Sequence, residues 1–499
     1  MASSIDSPSN TPYFLAFPLL NGVVTCSVTR ASAKIAHYHV RGFNALKKAF
    51  NLQVRRSGFS CEQILEFVAW PKGSFIGAQT AYNWSLCSNG NNNDIEALKN
   101  DIQKTLLRMD AMERKLKYSI TFLPLKDLSF EKTADDGHTW FMSSFKEKME
   151  NPTLGNLYFP SNSSKGRILC ILGRDRSDGA KNSYGLAWKE HLPRNFTLLP
   201  GLTFVSNNYW DYKNLWHGLT TLVPFVWWHK FNECAVPDRF VLYHWGEIVS
   251  KMGSWISEVL HASFGRMVPV DVLDYGDGPV CFERAVIYRR GISHVSLEKR
   301  MEVFDIIRCK ARQFCRVAVG QDLDLGDSTF NFTLLTRAGN RSFRNESIIA
   351  SIFEEECKKV IGCRFRAVRA DGLSFCDQVQ LMSTTQVVAT VHGAQLANMI
   401  FMSKGSHIME IFPKGWLELA GAGQYVFHWL ADWMGMKHEG TWRDTEGPEC
   451  PYPERGDLEC FFFYKDRQVG FNRTFLSSWA SNVLKRFNKL TPLSGECPC

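Results

Sequence analysis

The segment Val387 to Pro413 combines the residue types that bind a phosphate group. His392-Gly393-Ala394 follows the apolar run VVATV, so an imidazole stands at the end of an expected strand, and two small residues let the backbone approach a ligand. A helix that starts at this point offers free N–H groups to an anion, which suits a diphosphate. Glu410 lies in the next apolar strand, where a carboxylate needs polar partners, and ribose hydroxyls would supply them. Each residue also has a structural interpretation, with His392 as a cap or core residue and Glu410 in a salt bridge.

A second group of candidate residues lies in the loop Thr336 to Ser347. The guanidinium groups of Arg337, Arg341 and Arg344 have the geometry to grip pyrophosphate oxygens. Asn345 is placed to cap the helix that follows. The alternative is a solvated basic loop.

A third group lies in the segment Trp210 to His217. Asp211 and His217 offer a carboxylate and an imidazole, the groups that a general base needs near an acceptor hydroxyl. The neighbouring aromatic side chains, Trp216 among them, are of the kind that packs on sugar faces, and Asn214 is a further candidate on the acceptor side.

Two short patterns suggest metal ligands but carry little weight. Asp322-Leu323-Asp324 is interpreted as a polar turn before a strand, and His37-Tyr38-His39 lacks further ligands at suitable spacing. We therefore predict no metal site at these patterns.

Strand-like and helical patterns that would position these residues alternate from about residue 165 onward. Strands are expected at 167–172, 202–206, 239–243, 331–336, 364–368, 387–391 and 407–412, and helices at 247–260, 346–360, 375–384 and 394–401. The second half is thus a β-α-β series, which predicts a doubly wound parallel sheet with its ligand at the carboxyl ends of the strands.

Composition limits the classes of function. The 499 residues are 45% hydrophobic and 22% charged, enough for a large core in two or three domains. The net charge of +8 is spread along the chain, so nucleic acid is not an expected partner.

The 15 cysteines and the glycosylation sequons favour a lumenal compartment with some disulfides, including a short loop closed by Cys450 and Cys460. The sequons begin at Asn83, Asn162, Asn195, Asn331, Asn340, Asn345 and Asn472.

The amino-terminal region has two features of interest. Tyr13 to Val28 is apolar but shorter than the ~20 residues of a spanning helix, so it is either a poor signal or the anchor of the full protein lies outside this sequence. A heptad pattern over 95–116 predicts a stem helix at about 94–118, which either pairs two chains as a homodimer or docks on its own domain. Its positions are Ile95, Leu98, Ile102, Thr105, Met109, Met112 and Leu116.

At these motifs the chain resembles glycosyltransferase family 61, over roughly residues 205 to 445. The similarity is carried by DYKNLWH (211–217), PVCF (279–282), Arg337 with Arg341 and Asn345, DQV (377–379), HGAQL (392–396) and EIFP (410–413). The form of HGAQL with Gln395 is similar to the branch that acts on protein O-mannose.

The resemblance implies an α/β fold of GT-B type, in which two Rossmann-like domains face each other across a cleft. The expected domains are an amino-terminal stem-like region at 1–120, an acceptor-side domain at 121–325 and a UDP-sugar-binding domain at 326–499. The implied reaction is inverting transfer of N-acetylglucosamine or a pentose such as xylose from a UDP-sugar to a hydroxyl of a glycoprotein or polysaccharide, without an essential metal. The expected location is the Golgi or endoplasmic reticulum lumen.

In that resemblance Arg337, Arg341, Asn345 and the 392–394 turn bind the departing UDP, Glu410 is a candidate for the ribose, and His217 faces the acceptor with its neighbours. The sequence departs from the family at Thr221, where relatives have an acid four residues after the histidine. Asp211, His217 or Glu233 would substitute for that acid, or the protein is a non-catalytic nucleotide- or carbohydrate-binding protein on the same fold.

Overall fold

The structure is a computed structural model that describes residues 13–19, 22–28, 100, 103–112, 117–125, 156–162, 164–192, 195–208, 211–288, 296–317, 329–487, 497 and 499. The chain divides into two compact units, Met1–Ile120 and Thr121–Cys499. Several sequence expectations concern residues outside these ranges, namely His37 to His39, Asn83, Ile95, Leu98, Ile102, Leu116, Trp210 and Asp322 to Asp324.

The first unit contains a strand pair and part of the expected stem helix. β1 (Tyr13–Leu19) and β2 (Gly22–Val28) pair antiparallel, so the apolar amino-terminal segment is extended and not helical. Residues 103–112 are helical, and within them Thr105 and Met109 are half-buried while Met112 is 63% exposed. Pairing of two chains through this helix stays a prediction.

The second unit begins with an eight-stranded mixed sheet. Its strands are β3 (Leu123–Pro124), β4 (Asn156–Phe159), β5 (Ile168–Leu172), β6 (Ser183–Ala187), β7 (Thr197–Asn208), β8 (Arg239–His244), β9 (Glu247–Val249) and β10 (Val280–Tyr288). The order is β3-β6-β5-β10-β7-β8-β9, and β4 also pairs with β10. Only β10, β7 and β8 run parallel to one another, so this sheet is Rossmann-like in its parallel centre alone.

The second sheet is fully parallel and has the order β12-β11-β13-β14-β15. Its strands are β11 (Phe330–Thr336), β12 (Cys363–Arg369), β13 (Val387–Val391), β14 (His407–Phe412) and β15 (Lys437–Arg443). Numbered within the sheet, this is the doubly wound order 2-1-3-4-5, which reverses direction between β11 and β13. The predicted parallel sheet and its strand positions are therefore confirmed.

Nine α-helices occur among the described residues of the second unit. They are α1 (Leu215–Phe231), α2 (Ser254–Phe264), α3 (Leu297–Phe314), α4 (Glu346–Lys358), α5 (Phe375–Ser383), α6 (Trp416–Leu419), α7 (Val426–Trp433), α8 (Asp457–Lys465) and α9 (Arg473–Arg486). Short 3₁₀ helices lie at Gly179–Lys181, Ala394–Phe401, Gly421–Tyr425 and Pro453–Arg455.

Alternate residues of the parallel strands bury into two separate cores. Val388 and Ile408 face a large core that also contains α1, the 394–401 helix and α7, whereas Ala389 and Met409 face a second core against α4 and α9. This alternation follows from the two-residue period of a strand. Both faces of the sheet are covered, which explains why its central strands are apolar throughout.

Two sequence expectations were wrong in detail. The expected helix at 247–260 is instead β9 followed by α2, because the turn ending at Gly253 separates a short strand from the helix. The expected α-helix at 394–401 is instead a 3₁₀ helix. The spacing of apolar residues in the sequence cannot distinguish the three-residue period of a 3₁₀ helix from the period of an α-helix.

Four of the six disulfides among the described residues join cysteines that lie 61 or more residues apart, and two close short loops. The bonds are Cys170–Cys281, Cys234–Cys499, Cys309–Cys497, Cys315–Cys376, Cys357–Cys363 and Cys450–Cys460, the last as expected from the sequence. Within the described residues, no helix combines the length and apolar character needed to cross a bilayer.

Candidate active site

The candidate donor site lies where the second sheet reverses its strand order. β11 and β13 are parallel neighbours, so their carboxyl ends lie side by side. The loop after β11 carries Arg337 and Arg341, and the turn after β13 carries His392 and Gly393. Loops at such a reversal point diverge and leave room for a ligand at the end of the sheet. Topology thus brings together two segments that lie about 50 residues apart in the sequence.

The guanidinium groups of Arg337 and Arg341 close directly over Gly393. A Cβ placed on Gly393 would lie 2.9 Å from Arg341 Nη1 and 3.2 Å from Arg337 Nη1. A side chain at position 393 would displace the guanidinium groups from these positions. Arg341 Nη1 donates a hydrogen bond to the backbone carbonyl of His392 at 3.2 Å, which ties the arginine loop to the turn.

Two positive charges held this close repel each other and favour an anion between them. Burial and the charge of Arg337 lower the pKa of Arg341 to about 10, so the Arg341 guanidinium remains charged at neutral pH. The buried Nε atoms of Arg337 and Arg341 have no hydrogen-bond acceptor among the described residues. The Arg341 guanidinium also lies over the Trp416 ring, 5.2 Å from its centroid. These features fit a diphosphate better than a solvated loop.

The backbone of Arg341 is in the left-handed region, with φ of 61°. This conformation is unfavourable for residues other than glycine and asparagine, and it occurs often at binding sites. Here it turns the side chain back toward His392.

Beneath the arginines, the side chains of His392, Glu410 and His438 form a buried hydrogen-bonded chain. Glu410 is fully buried, and its Oε1 contacts His392 Nδ1. Its other oxygen, Oε2, accepts a hydrogen bond from His438 Nε2 at 2.8 Å. The side chains of His392 and His438 are only 8% and 3% exposed.

Burial opposes ionisation of Glu410, but the charges and hydrogen bonds of His392 and His438 outweigh it and lower the pKa of the carboxyl. Both carboxylate oxygens are engaged, so Glu410 lies behind His392 and not at an open surface. Direct contact with a ribose would require one of the histidine bonds to open.

Aromatic rings hold the His392 imidazole from several sides. Phe412 stacks on it with ring centroids 4.5 Å apart, and Trp416 and Phe427 meet it edge-on at 4.6 and 5.2 Å. Phe427 also contacts Trp216 of α1, at 5.5 Å. The predicted acceptor-side helix and the donor turn therefore pack against the same phenylalanine.

On the acceptor side, Asn214 and Asp211 build the start of α1. Asn214 Oδ1 accepts hydrogen bonds from the backbone N–H groups of Trp216 and His217, as a helix cap does. Asp211 Oδ1 accepts from the N–H groups of Lys213 and Asn214 at 2.7 and 3.0 Å. This fixes Asp211 Oδ2 at 3.8 Å from His217 Nδ1.

Opposing effects act on both side chains, and together they favour an ionised Asp211 and a neutral His217. Burial lowers the pKa of His217, and Asp211 partly opposes this shift. Burial opposes ionisation of Asp211, but the N–H groups of Asn214 and Lys213 and the nearby His217 outweigh it and lower its pKa. A neutral imidazole beside a carboxylate is the arrangement of a general base.

Thr221, where the family has an acid, is a buried hydrogen-bonded residue. It is 2% exposed, and its Oγ1 donates to the carbonyl of His217 at 2.8 Å and accepts from Asn208 Nδ2. The suggestion that Glu233 replaces the acid is wrong. Glu233 is exposed and follows the far end of α1, about 24 Å along the helix from His217 at 1.5 Å per residue.

The remaining predicted donor residues contribute less to the site. Ala394 begins the 3₁₀ helix beside the turn. Asn345 occupies the cap position of α4 but makes no side-chain capping bond, and it is exposed. Arg344 pairs with the buried Asp444 at 2.6 Å, so it ties the loop to the residue that follows β15.

Other residues of the family motifs have structural roles in this fold. Cys281 of the PVCF run forms a disulfide with Cys170, and Phe282 is buried in the core. Asp377 closes a capping box with Ser374 at the start of α5, and Val379 is fully buried.

His438 is the site residue that the sequence did not indicate. It lies in β15, KHEGTWR, a mostly polar strand 28 residues after Glu410, and no spacing rule links the two. Its role emerges only from the parallel pairing of β15 with β14.

Candidate metal ligands are few among the residues that the structure describes. One group of three lies close enough to share an ion, His229, Cys234 and Cys499, and its two cysteines are joined in a disulfide. Metal independence therefore stays a prediction.

Comparison with known proteins finds a family model that matches the centre of the chain. Residues 215–409 match the model of the family Glycosyltransferase 61. The chain carries a glycosyltransferase 61 domain. The matched residues include His217 of α1, the loop with Arg337 and Arg341, and the turn with His392. The family resemblance seen in the sequence is therefore confirmed.

Three curated relatives share the name "Protein O-linked-mannose beta-1,4-N-acetylglucosaminyltransferase 2". The Xenopus laevis protein is 31% identical over 151 residues, which is 29% of this chain and 25% of that protein. The proteins of Xenopus tropicalis and Canis lupus familiaris are 34% and 30% identical over 24% and 25% of this chain, and over 20% and 21% of their own lengths. The aligned segment thus spans a quarter or less of each relative. Domain and names together support a glycosyltransferase.

Proposed function

We propose that the protein is an inverting glycosyltransferase that moves a sugar from a UDP-sugar to a hydroxyl group. The observation that carries this proposal is the pair of charged, half-buried arginines closing over Gly393 at the point where the sheet reverses its order. Within a glycosyltransferase 61 domain, a diphosphate held there belongs to the sugar donor.

In the proposed reaction, the acceptor oxygen attacks the anomeric carbon and the bond from that carbon to the UDP oxygen breaks. The bonding electrons leave with UDP, whose growing negative charge is stabilised by Arg337 and Arg341. His392, in its protonated form, donates a further hydrogen bond from Nε2 to the diphosphate while its Nδ1–H donates to Glu410. Inversion at the anomeric carbon follows because a single displacement places the new bond opposite the old one.

His217 takes the proton of the acceptor hydroxyl in this proposal. Its pKa is lowered by burial, so the imidazole is neutral and able to accept a proton near pH 7. Asp211, at 3.8 Å, stabilises the imidazolium that forms. This pair would serve without an acid at Thr221.

The finer features of the proposal follow the family resemblance. They comprise a GT-B arrangement of the two sheets, N-acetylglucosamine or a pentose as the transferred sugar, a glycoprotein or polysaccharide acceptor, and no essential metal. Location in the Golgi or endoplasmic reticulum lumen is supported by the six disulfides among the described residues and by exposed sequon asparagines such as Asn195 and Asn472. Pairing of two chains through 95–116 would complete a membrane-proximal stem.

A non-catalytic nucleotide- or carbohydrate-binding protein is the second candidate. The observation that favours it is Thr221, whose buried hydroxyl replaces an acid and is fully engaged with His217 and Asn208. In that case the donor site would bind UDP without turnover.

Turnover with a panel of UDP-sugars, with and without hydroxyl acceptors, separates these proposals. We expect UDP release with UDP-N-acetylglucosamine or UDP-xylose, retained in EDTA and abolished in Arg341→Ala. Tight UDP binding without release from any donor would support the binding protein. Release that is undiminished in Arg341→Ala would contradict the assigned donor site.

A further inference from the structure

Glu410 is held by two histidines, and only one of them lies at the donor turn. His438 stands on β15, with its side chain 3% exposed, and donates from Nε2 to Glu410 Oε2 at 2.8 Å. His392 contacts the other carboxylate oxygen through Nδ1. A carboxylate with no solvent contact is costly unless each oxygen has a partner. His438 therefore supplies half of what keeps Glu410 ionised and fixed in place.

The orientation of Glu410 determines which nitrogen of His392 is left for a ligand. With Nδ1–H directed at Glu410 Oε1, the other ring nitrogen, Nε2, is the one able to meet a diphosphate oxygen. Stacking by Phe412 and the edges of Trp416 and Phe427 prevent the ring from turning over. A rotation of the carboxylate would break this alignment, and the bond from His438 opposes such a rotation.

We propose that His438 is a positioning residue of the donor site, which acts through Glu410 to hold the His392 imidazole in the orientation that directs Nε2 toward a departing diphosphate. The inference rests on the proposed glycosyltransferase function for its effect on turnover. The effect of His438 on the position of His392 follows from the observed contacts alone. Partners of this kind, one step removed from a reacting group, commonly change activity by 10- to 100-fold when lost.

The same two strands contain a second buried histidine–glutamate pair that serves as a control. His407, the first residue of β14, is 2% exposed, and its Nδ1 lies 2.6 Å from Glu439 Oε1 on β15. Glu439 is also held by a second partner, Arg486, at 2.8 Å. This pair resembles the His438–Glu410 pair in burial and chemistry but has no contact with His392 among the described interactions.

The test compares His438→Gln and His438→Leu with His407→Gln and His407→Leu. Glutamine places an N–H donor close to the position of His Nε2, whereas leucine cannot donate. We expect His438→Leu to lower kcat by about 10- to 100-fold and His438→Gln to stay within about 3-fold of the original protein. Both His407 variants should retain kcat, even where their thermal stability falls as far as that of His438→Leu.

A proton NMR measurement of histidine side chains gives a readout that does not depend on activity. The Nδ1–H resonance of His392, assigned by its loss in His392→Gln, should shift in His438→Leu and remain in place in His407→Leu. Equal behaviour of the 438 and 407 leucine variants, in kcat or in this resonance, would overturn the inference. If the original protein binds no UDP and transfers no sugar, the proposed function fails, and the resonance still decides the role of His438.

Discussion

On the donor side, the charged groups are buried and held by more than one partner, whereas on the acceptor side they are looser. Glu410 is fully buried between two histidines, and Arg341 is bound to the His392 carbonyl and lies over Trp416. Asp211 is 49% exposed and stands 3.8 Å from His217. The donor half is therefore organised before any ligand arrives. The acceptor half relies on a substrate to complete it.

Replacement of His217 by alanine should have the largest effect. Without the base, kcat should fall by about 100- to 10,000-fold, while UDP affinity stays unchanged because the donor residues are intact. Initial-rate kinetics and calorimetry measure the two quantities. His261→Ala is a matched control, since His261 Nδ1 also lies 3.8 Å from a carboxylate, that of Glu258. An equal loss of kcat in both variants would remove His217 from the acceptor side.

Introducing the family acid tests whether the acceptor half is incomplete. The Thr221→Asp variant loses the hydroxyl that donates to the His217 carbonyl, and Thr221 is only 2% exposed. The free energy of unfolding should therefore fall by about 1–3 kcal/mol. Urea denaturation measures this, with the half-buried Thr220→Asp as the milder control. Because His217 and Asp211 already form a base, we expect no gain in kcat. A large gain would show that the acid was missing and that the binding-protein proposal describes the present chain.

A methyl group at Gly393 should disturb the donor half alone. The new Cβ would lie 2.9 Å from Arg341 Nη1, so both guanidinium groups must move, and we expect about 10-fold weaker UDP binding. Gly423→Ala is the control, because a Cβ there meets nothing within 4 Å. Unchanged UDP binding in Gly393→Ala would mean that the two arginines do not grip the diphosphate together.

The smallest expected effect is on the pH dependence of kcat/KM. Protonation of His217 removes the base, so activity falls as the pH decreases through its pKa. Burial lowers that pKa, which places the acid limb below the ordinary value of about 6.5. Asp211 opposes the shift, so Asp211→Asn should move the limb to still lower pH. A limb that moves to higher pH in this variant would exclude the pairing of Asp211 with His217.

The sequence predicted the donor half well because its signals are local. Apolar runs marked β11, β13 and β14, and parallel strands place the loops that follow them at one edge, so Arg341 and His392 could be expected to meet. His438 could not be found this way, since its contact with Glu410 depends on how β15 pairs with β14. The burial of both Glu410 oxygens and the hydrogen bonds of Thr221 likewise depend on packing between distant segments.

Isothermal titration of the purified protein with UDP tests the central claim most directly. We predict saturable binding that is about 10- to 100-fold weaker in Arg341→Ala, as expected for a lost hydrogen bond to a charged group. Arg369→Ala, which removes an exposed arginine at the carboxyl end of neighbouring β12, should leave the affinity unchanged. No binding of UDP to the folded protein, or equal affinities in Arg341→Ala and the original protein, would contradict the donor site proposed at Arg337, Arg341 and Gly393.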